Sequence, residues 1–104
     1  MDVRLEGLLR RLFQPKEVEK ILDFFGKGFS HETEVVIASV FMFAKDGGKT
    51  VHEVLEKLNE EWERNWKFQH PDIRANPASL GAAGRQNMSS LVRIYGALGL
   101  PMPK

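Results

Sequence analysis

Three histidines, a run of carboxylates and three glycine-containing segments are the parts of this 104-residue chain whose types and spacing could do chemistry. His31 and Glu34 stand three apart, and His52 and Glu56 four apart, so either pair could set two metal-ligand atoms on one helix face. The His-x-x-x-His and Glu-x-x-His doublets that complete such sites are missing, and no metal is expected. His31 falls in the first turn of a helix, where the dipole disfavours an imidazolium. His70 precedes Pro71 in a connector and is expected in solvent. Ser30 lies beside His31, and Ser89-Ser90 lie on a helix, but no base with an orienting group accompanies them. Cysteine is absent, which removes disulfides, thiolate metal sites and a thiol nucleophile. The expectation is therefore a protein with no catalytic residues, no cofactor and no metal.

The glycine segments resemble phosphate or nucleic-acid loops only in part. Gly26-Lys27-Gly28 has His31 where a dinucleotide loop needs its third glycine. Asp46-Gly47-Gly48-Lys49-Thr50 ends in Gly-Lys-Thr, but Phe43 occupies the upstream glycine position of a phosphate-binding loop. A helix break explains it better. Gly81-Ala82-Ala83-Gly84-Arg85 has the Gly-x-x-Gly spacing of a nucleic-acid clamp, yet it sits within a helical pattern, where close packing is the simpler reading.

Charge is informative by segment. Fifteen basic against fourteen acidic residues give a net charge of +1, too small for a strongly basic monomeric nucleic-acid binder. Residues 50–67 hold three basic and five acidic groups, a balance of −2; residues 68–104 hold Arg74, Arg85, Arg93 and Lys104 against Asp72, a balance of +3. Candidate DNA-binding residues are Arg4, Arg10 and Arg11 on a first helix, Lys16, Lys20 and Lys27 on one face of a second, and Arg85. Asp23 partly cancels the second group. Small basic patches repeated around a ring would add up even when one subunit is nearly neutral. The plain alternative is an ordinary mixed-charge surface.

The elements that must position these groups are helices. Asp2 can cap a helix over 3–13, with Val3, Leu5, Leu8, Leu9, Leu12 and Phe13 apolar. Pro15 suits the first turn of a helix over 15–26, with Val18, Ile21, Leu22 and Phe25 in register and Phe24 off the stripe. Gly26 and Gly28 stop it. Ser30 is the N-cap of a third helix over 31–45, with Phe29 as a hydrophobic staple. Nine of the ten residues Val35–Ala44 are apolar. β-branching leaves a buried strand as an alternative, but length and caps favour a helix. Such a helix is either central in the core or shared with another subunit. Val36, Val40, Phe43, Trp62 and Trp66 are the candidate oligomer contacts under the second option.

Gly47-Gly48 closes the third helix, and Thr50-Val51-His52-Glu53 reads as a capping box for a fourth over 51–67. Val51, Val54, Leu55, Leu58, Trp62 and Trp66 line its apolar face. Glu53, Glu56, Lys57, Glu60, Glu61, Glu63, Arg64 and Lys67 form the opposite, solvated face. Residues 68–76 are a connector. A final helix over 77–98 follows, with Leu80, Gly84, Met88, Leu91, Tyr95 and Leu98 in register and Gly99 as its stop. Gly81, Gly84 and Gly96 either weaken it or permit close approach. The chain thus predicts one all-α domain over residues 1–104, a bundle of four to five helices with a central helical hairpin. No run reaches the roughly 18 apolar residues of a membrane span, and no signal pattern opens the chain, so no membrane contact and a cytoplasmic site are expected.

The segment from Asn76 onward resembles the C-terminal signature of a family of phage terminase small subunits. It reads Asn76-Pro77-Ala78-Ser79-Leu80, then Arg85-Gln86, then Leu91 and Leu98-Gly99-Leu100-Pro101, under a third of the chain. In that family a Thr or Ser commonly separates Leu-Gly-Leu from the proline; here Pro101 follows at once. The resemblance implies a non-enzymatic packaging factor in the host-cell cytoplasm. Such a factor forms a homo-oligomeric ring, binds double-stranded viral DNA and regulates a large terminase subunit that carries the ATPase and nuclease. Two other classes remain open. One is a helix-turn-helix regulator using Thr50–Asn59 and residues 77–98. The other is a helical protein-interaction adaptor or inhibitor.

Overall fold

The computed structural model describes residues 3–68 and 80–101, with the side chains of Glu32 and of residues 80–88 excepted. Asp2, His70 and the Asn76–Ser79 cap fall outside the described residues, as does the side chain of Arg85. Five α-helices and no strand occur among the described residues. They are α1 (Val3–Leu12), α2 (Pro15–Phe25), α3 (His31–Asp46), α4 (Val51–Arg64) and α5 (Leu80–Leu98), with one 3-10 turn at Trp66–Phe68. The chain is an all-α bundle, and no described helix is long and apolar enough to cross a membrane.

Each boundary has a local cause. Before α2, the backbone N–H of Gln14 donates to Glu17 Oε1 at 2.9 Å, and Pro15 occupies a position whose N–H would have no helical partner. Ser30 caps α3 by accepting from the Thr33 N–H at 3.2 Å. Thr50 and Glu53 form the reciprocal capping box of α4, at 3.1 and 3.0 Å. Gly48 ends α3 at φ +79°, where the Lys49 N–H bonds the Ala44 carbonyl and the Gly48 N–H bonds that of Lys45. Gly99 ends α5 in the same way at φ +70°, with Leu100 bonded to Tyr95 and Gly99 to Gly96. Both are six-to-one, five-to-two Schellman turns. The Gly-Lys-Thr segment is therefore a helix stop followed by a helix cap, not a phosphate cradle.

α3 is the helix the others wrap. Ile37, Ala38, Val40, Phe41 and Ala44 are buried, and α1, α4 and α5 pack against it. α3 and α4 form the expected hairpin across residues 47–50. The C-terminus of α1 is closed from α3: the Lys45 ammonium donates to the Leu12 carbonyl and lies 5.2 Å from the centre of the Phe13 ring. A cation at a helix C-terminus is favourable with the dipole. Phe13 meets Phe41 edge-on at 6.4 Å.

A second nucleus is aromatic. Phe24, the residue off the α2 stripe, stacks on Phe29 at 5.4 Å. Phe29 meets Trp62 and Trp66 edge-on at 5.8 and 5.6 Å. Phe29, the residue before the Ser30 cap, thus turns its ring to the tryptophans, and the N4 position of α3 facing it in a staple is a glutamate, Glu34.

Several expectations need correction. Val40 is fully buried and Trp66 is 2% exposed, so both belong to the core of one chain and neither reaches a partner. Val36, Phe43 and Trp62 are half-buried, with Phe43 against Tyr95 at 5.7 Å. α4 does not run to residue 67: it breaks at Asn65 (φ −138°, ψ −60°), and the 3-10 turn carries Trp66 inward. Gly96 shows no close approach: among the described residues nothing lies within 4 Å of where its Cβ would be. Gly47 does: a Cβ there would meet Leu100 Cδ2 at 2.6 Å. Leu100 of the Leu-Gly-Leu-Pro segment therefore seats its side chain against the α3 stop.

These placements give different signs to similar substitutions. Val40→Asp buries an unpaired carboxylate and is expected to cost about 4 kcal/mol, abolishing a cooperative thermal transition. Gly96→Ala, in open space on a helix, is expected to stabilise by about 0.5–1 kcal/mol. Gly48→Ala, forced into the left-handed region, is expected to destabilise by about 1 kcal/mol. Urea unfolding followed by circular dichroism measures all three. A Gly48→Ala variant as stable as Gly96→Ala would refute the assigned turn.

Candidate functional site

The described residues gather polar groups in two places, both on α4. The first is internal. Glu61 is only 3% exposed, although its place in the sequence pattern is on the solvated face. Its Oε1 accepts from the Ser90 hydroxyl at 2.8 Å, and its Oε2 accepts from Arg93 Nε at 3.0 Å. Arg93 Nη2 also donates to Oε1, and the Asn65 amide donates to Ser90 Oγ at 3.2 Å. The forked guanidinium matches the carboxylate edge, the geometry in which such pairs are strongest. Ser90 is completely buried and takes part in two of these contacts, with Arg93 Nη2 also donating to its Oγ at 3.5 Å. The network locks α5 to α4 at the point where α4 breaks. Its serine donates to a carboxylate held by arginine, and among the described residues no imidazole adjoins it.

The second is a surface groove of about 550 Å³ between α2 and α4. Lys16, Lys20 and Lys27 line it, as the common face of the α2 cations requires, but so do Glu19 and Asp23. Leu55 and Asn59 of α4 form the opposite wall. Lys27 Nζ lies 5.0 Å from the Trp62 ring centre and 6.0 Å from that of Phe24, so it covers the aromatic nucleus as well as facing solvent.

The candidate DNA-binding residues divide accordingly. Arg4, Arg10 and Arg11 are exposed on α1, with Arg10 Nε 3.5 Å from Glu6 Oε2. Lys16, Lys20 and Lys27 are exposed and share the groove. The side chain of Arg85 lies outside the described residues. His31 and His52 are exposed, His52 being 3.9 Å from Glu56, and no group of three potential metal ligands occurs among the described residues. Sequence pattern missed the Glu61–Ser90–Arg93 network entirely. The only available signal was Arg93, a lone cation with no carboxylate near it on its own helix.

Comparison of the chain with protein-family models, with curated proteins and with solved structures finds no match.

Two glutamates link this architecture to pH with opposite signs. Burial pushes the Glu61 carboxyl up, but the Arg93 and Ser90 hydrogen bonds and the charges of Arg93 and Arg64 outweigh it, leaving the group below the ordinary carboxylate value. Its contribution is complete above the unfolded carboxylate range and is lost as pH falls through the lower folded value. Glu34 is displaced upward, chiefly by burial, with His31 opposing. It favours the fold below the unfolded value, and that contribution disappears as pH rises through the folded one. Glu61→Gln is therefore expected to cost about 1 kcal/mol at pH 7, the exposure of Arg93 moderating the loss, and progressively less toward pH 3. Glu34→Gln is expected to gain stability at pH 7 relative to pH 3. Urea midpoints at the two pH values check both. A pH-independent Glu61→Gln deficit would remove the assigned charge.

Proposed function

We propose that the chain is a non-catalytic small terminase subunit, a self-assembling factor that binds double-stranded viral DNA and acts on a large terminase subunit. The observation that carries this reading is the Leu98-Gly99-Leu100-Pro101 segment. It resembles the family's C-terminal signature, and it acts here as a helix stop that seats Leu100 against Gly47. The exposed arginines of α1 supply a cationic face, and multiplied over a ring it would hold a duplex that one nearly neutral subunit holds weakly.

The helix-turn-helix alternative gains nothing from the arrangement. The outward face of α4, its supposed first helix, carries Glu53, Glu56, Glu60 and Glu63, all exposed, which a duplex would repel. The adaptor alternative has one observation in its favour: the α2–α4 groove mixes lysines with Glu19 and Asp23, a pattern suited to protein rather than phosphate.

Light scattering and duplex binding at several salt concentrations test the reading. The expected result is a mass of many subunits and DNA affinity that falls steeply with salt. Arg10→Ala with Arg11→Ala is expected to lower the salt slope by about one to two phosphate contacts without unfolding the chain. A monomer that binds no DNA at low salt would overturn it.

A further inference from the structure

The charged face of α2 has a counterpart on α4 in reverse order. Along α2 and its C-terminal turn the pattern is Lys20, Asp23, Lys27, with spacings of three and four. Along α4, read backwards, it is Glu60, Lys57, Glu53, with the same spacings and every sign inverted. An antiparallel alignment places Lys20 opposite Glu60, Asp23 opposite Lys57 and Lys27 opposite Glu53. A parallel alignment that keeps Lys20 on Glu60 sets Lys27 against Lys67 instead. At 1.5 Å per residue, the first and last pairs lie about 10 Å apart on either element, so all three can form together.

The two triplets do not meet within one chain. Lys20, Asp23 and Lys27 line the groove whose α4 wall is Leu55 and Asn59. Glu53 and Lys57 line a separate cleft with Ala97 and Leu98 of α5, and Glu60 lines one with Arg93 and Ala97. Glu53 and Lys57 thus face the α5 side of α4, away from the groove, and Glu60 reaches from that side to the outward face, where it shares a cleft with Asn59. The ion pairs recorded for Lys57 stay within α4, to Glu56 at 3.9 Å and Glu60 at 3.5 Å. Exposed pairs of that kind are worth little, so exchanging them across an interface is inexpensive.

We propose that the charged face of α2 in one copy docks on the α5-side flank of α4 in a second copy. The occupant of the groove side is therefore another molecule of this chain, chosen by charge complementarity. A polyanion fits worse, because Glu19 and Asp23 stand among the lysines. Donor and acceptor triplets lie on different flanks, so the contact is heterologous and repeats from copy to copy, closing into a ring when the rotation permits. This deepens the self-assembly part of the proposed function and rests on it, while leaving DNA contact to α1.

Charge reversal tests it. Lys20→Glu and Glu60→Lys each change an exposed residue, and unchanged circular dichroism and melting establish that the variants fold. Light scattering and sedimentation in low salt are expected to show the wild type assembled, each single variant needing at least tenfold more protein to assemble, and the double variant restored. An equimolar mixture of the two single variants is also expected to recover. Salt near 1 M, where the screening length falls to about 3 Å, is expected to disperse the wild type. A wild-type assembly that either single reversal leaves unchanged would overturn the contact while leaving self-assembly intact. A monomeric wild type would overturn both. Charge-sensitive assembly without DNA affinity would uphold the contact and reject the packaging role.

Discussion

A helix that is apolar on most of its circumference has to be covered, and α3 is that helix. Burying Ile37, Val40, Phe41 and Ala44 together requires neighbours on several sides. α1, α4 and α5 supply them, and α2 then closes against α1 and α4. Each buried aliphatic or aromatic side chain is worth about 1.5–3 kcal/mol, so covering this helix is a large part of what drives the arrangement. The covering is also why the apolar run does not advertise a partner: its most hydrophobic members are consumed inside one chain.

The covering helices need fixed directions, and polar contacts at helix ends provide them. Lys45 reaches from α3 to close the end of α1, and the Schellman turns at Gly48 and Gly99 aim the chain as α3 and α5 end. Leu100 at the second turn packs beside Gly47 at the first, so the ends of α3 and α5 meet. Midway along α5, Ser90 and Arg93 bind Glu61 and clamp the helix to α4. A half-satisfied version of that network would be worse than an apolar contact, which makes it a device for alignment as much as for stability. The break at Asn65 serves both nuclei, since its amide joins the network while the following turn delivers Trp66 to Phe24 and Phe29.

What α2 and α4 leave outside is mostly charge. The surfaces of α2 and α4 carry both signs at helical spacing, a pattern that favours protein contact over a phosphate track. The arginines of α1 form a separate cationic set. Division of the surface into a self-complementary part and a basic part reconciles a net charge of +1 with a proposed role on DNA.

Local signals were legible in the sequence because their physics is local. Ser30, the Thr50–Glu53 box, Pro15, Gly48 and Gly99 each act within six residues, and each ends or begins a helix where the pattern places it. The all-α class followed from the same periodicities. Tertiary structure alone decided which surface each helix kept. Glu61 shares the spacing of its exposed neighbours, yet Arg93, 32 residues away, draws it inside. Phe29 sits where a staple would, and the fold brings Trp62 and Trp66 edge-on to its ring. Val40 and Trp66 looked available to a second subunit until the fold buried them. Helical spacing fixes the angle at which a side chain leaves its own axis, but what waits at that angle is set by other parts of the chain.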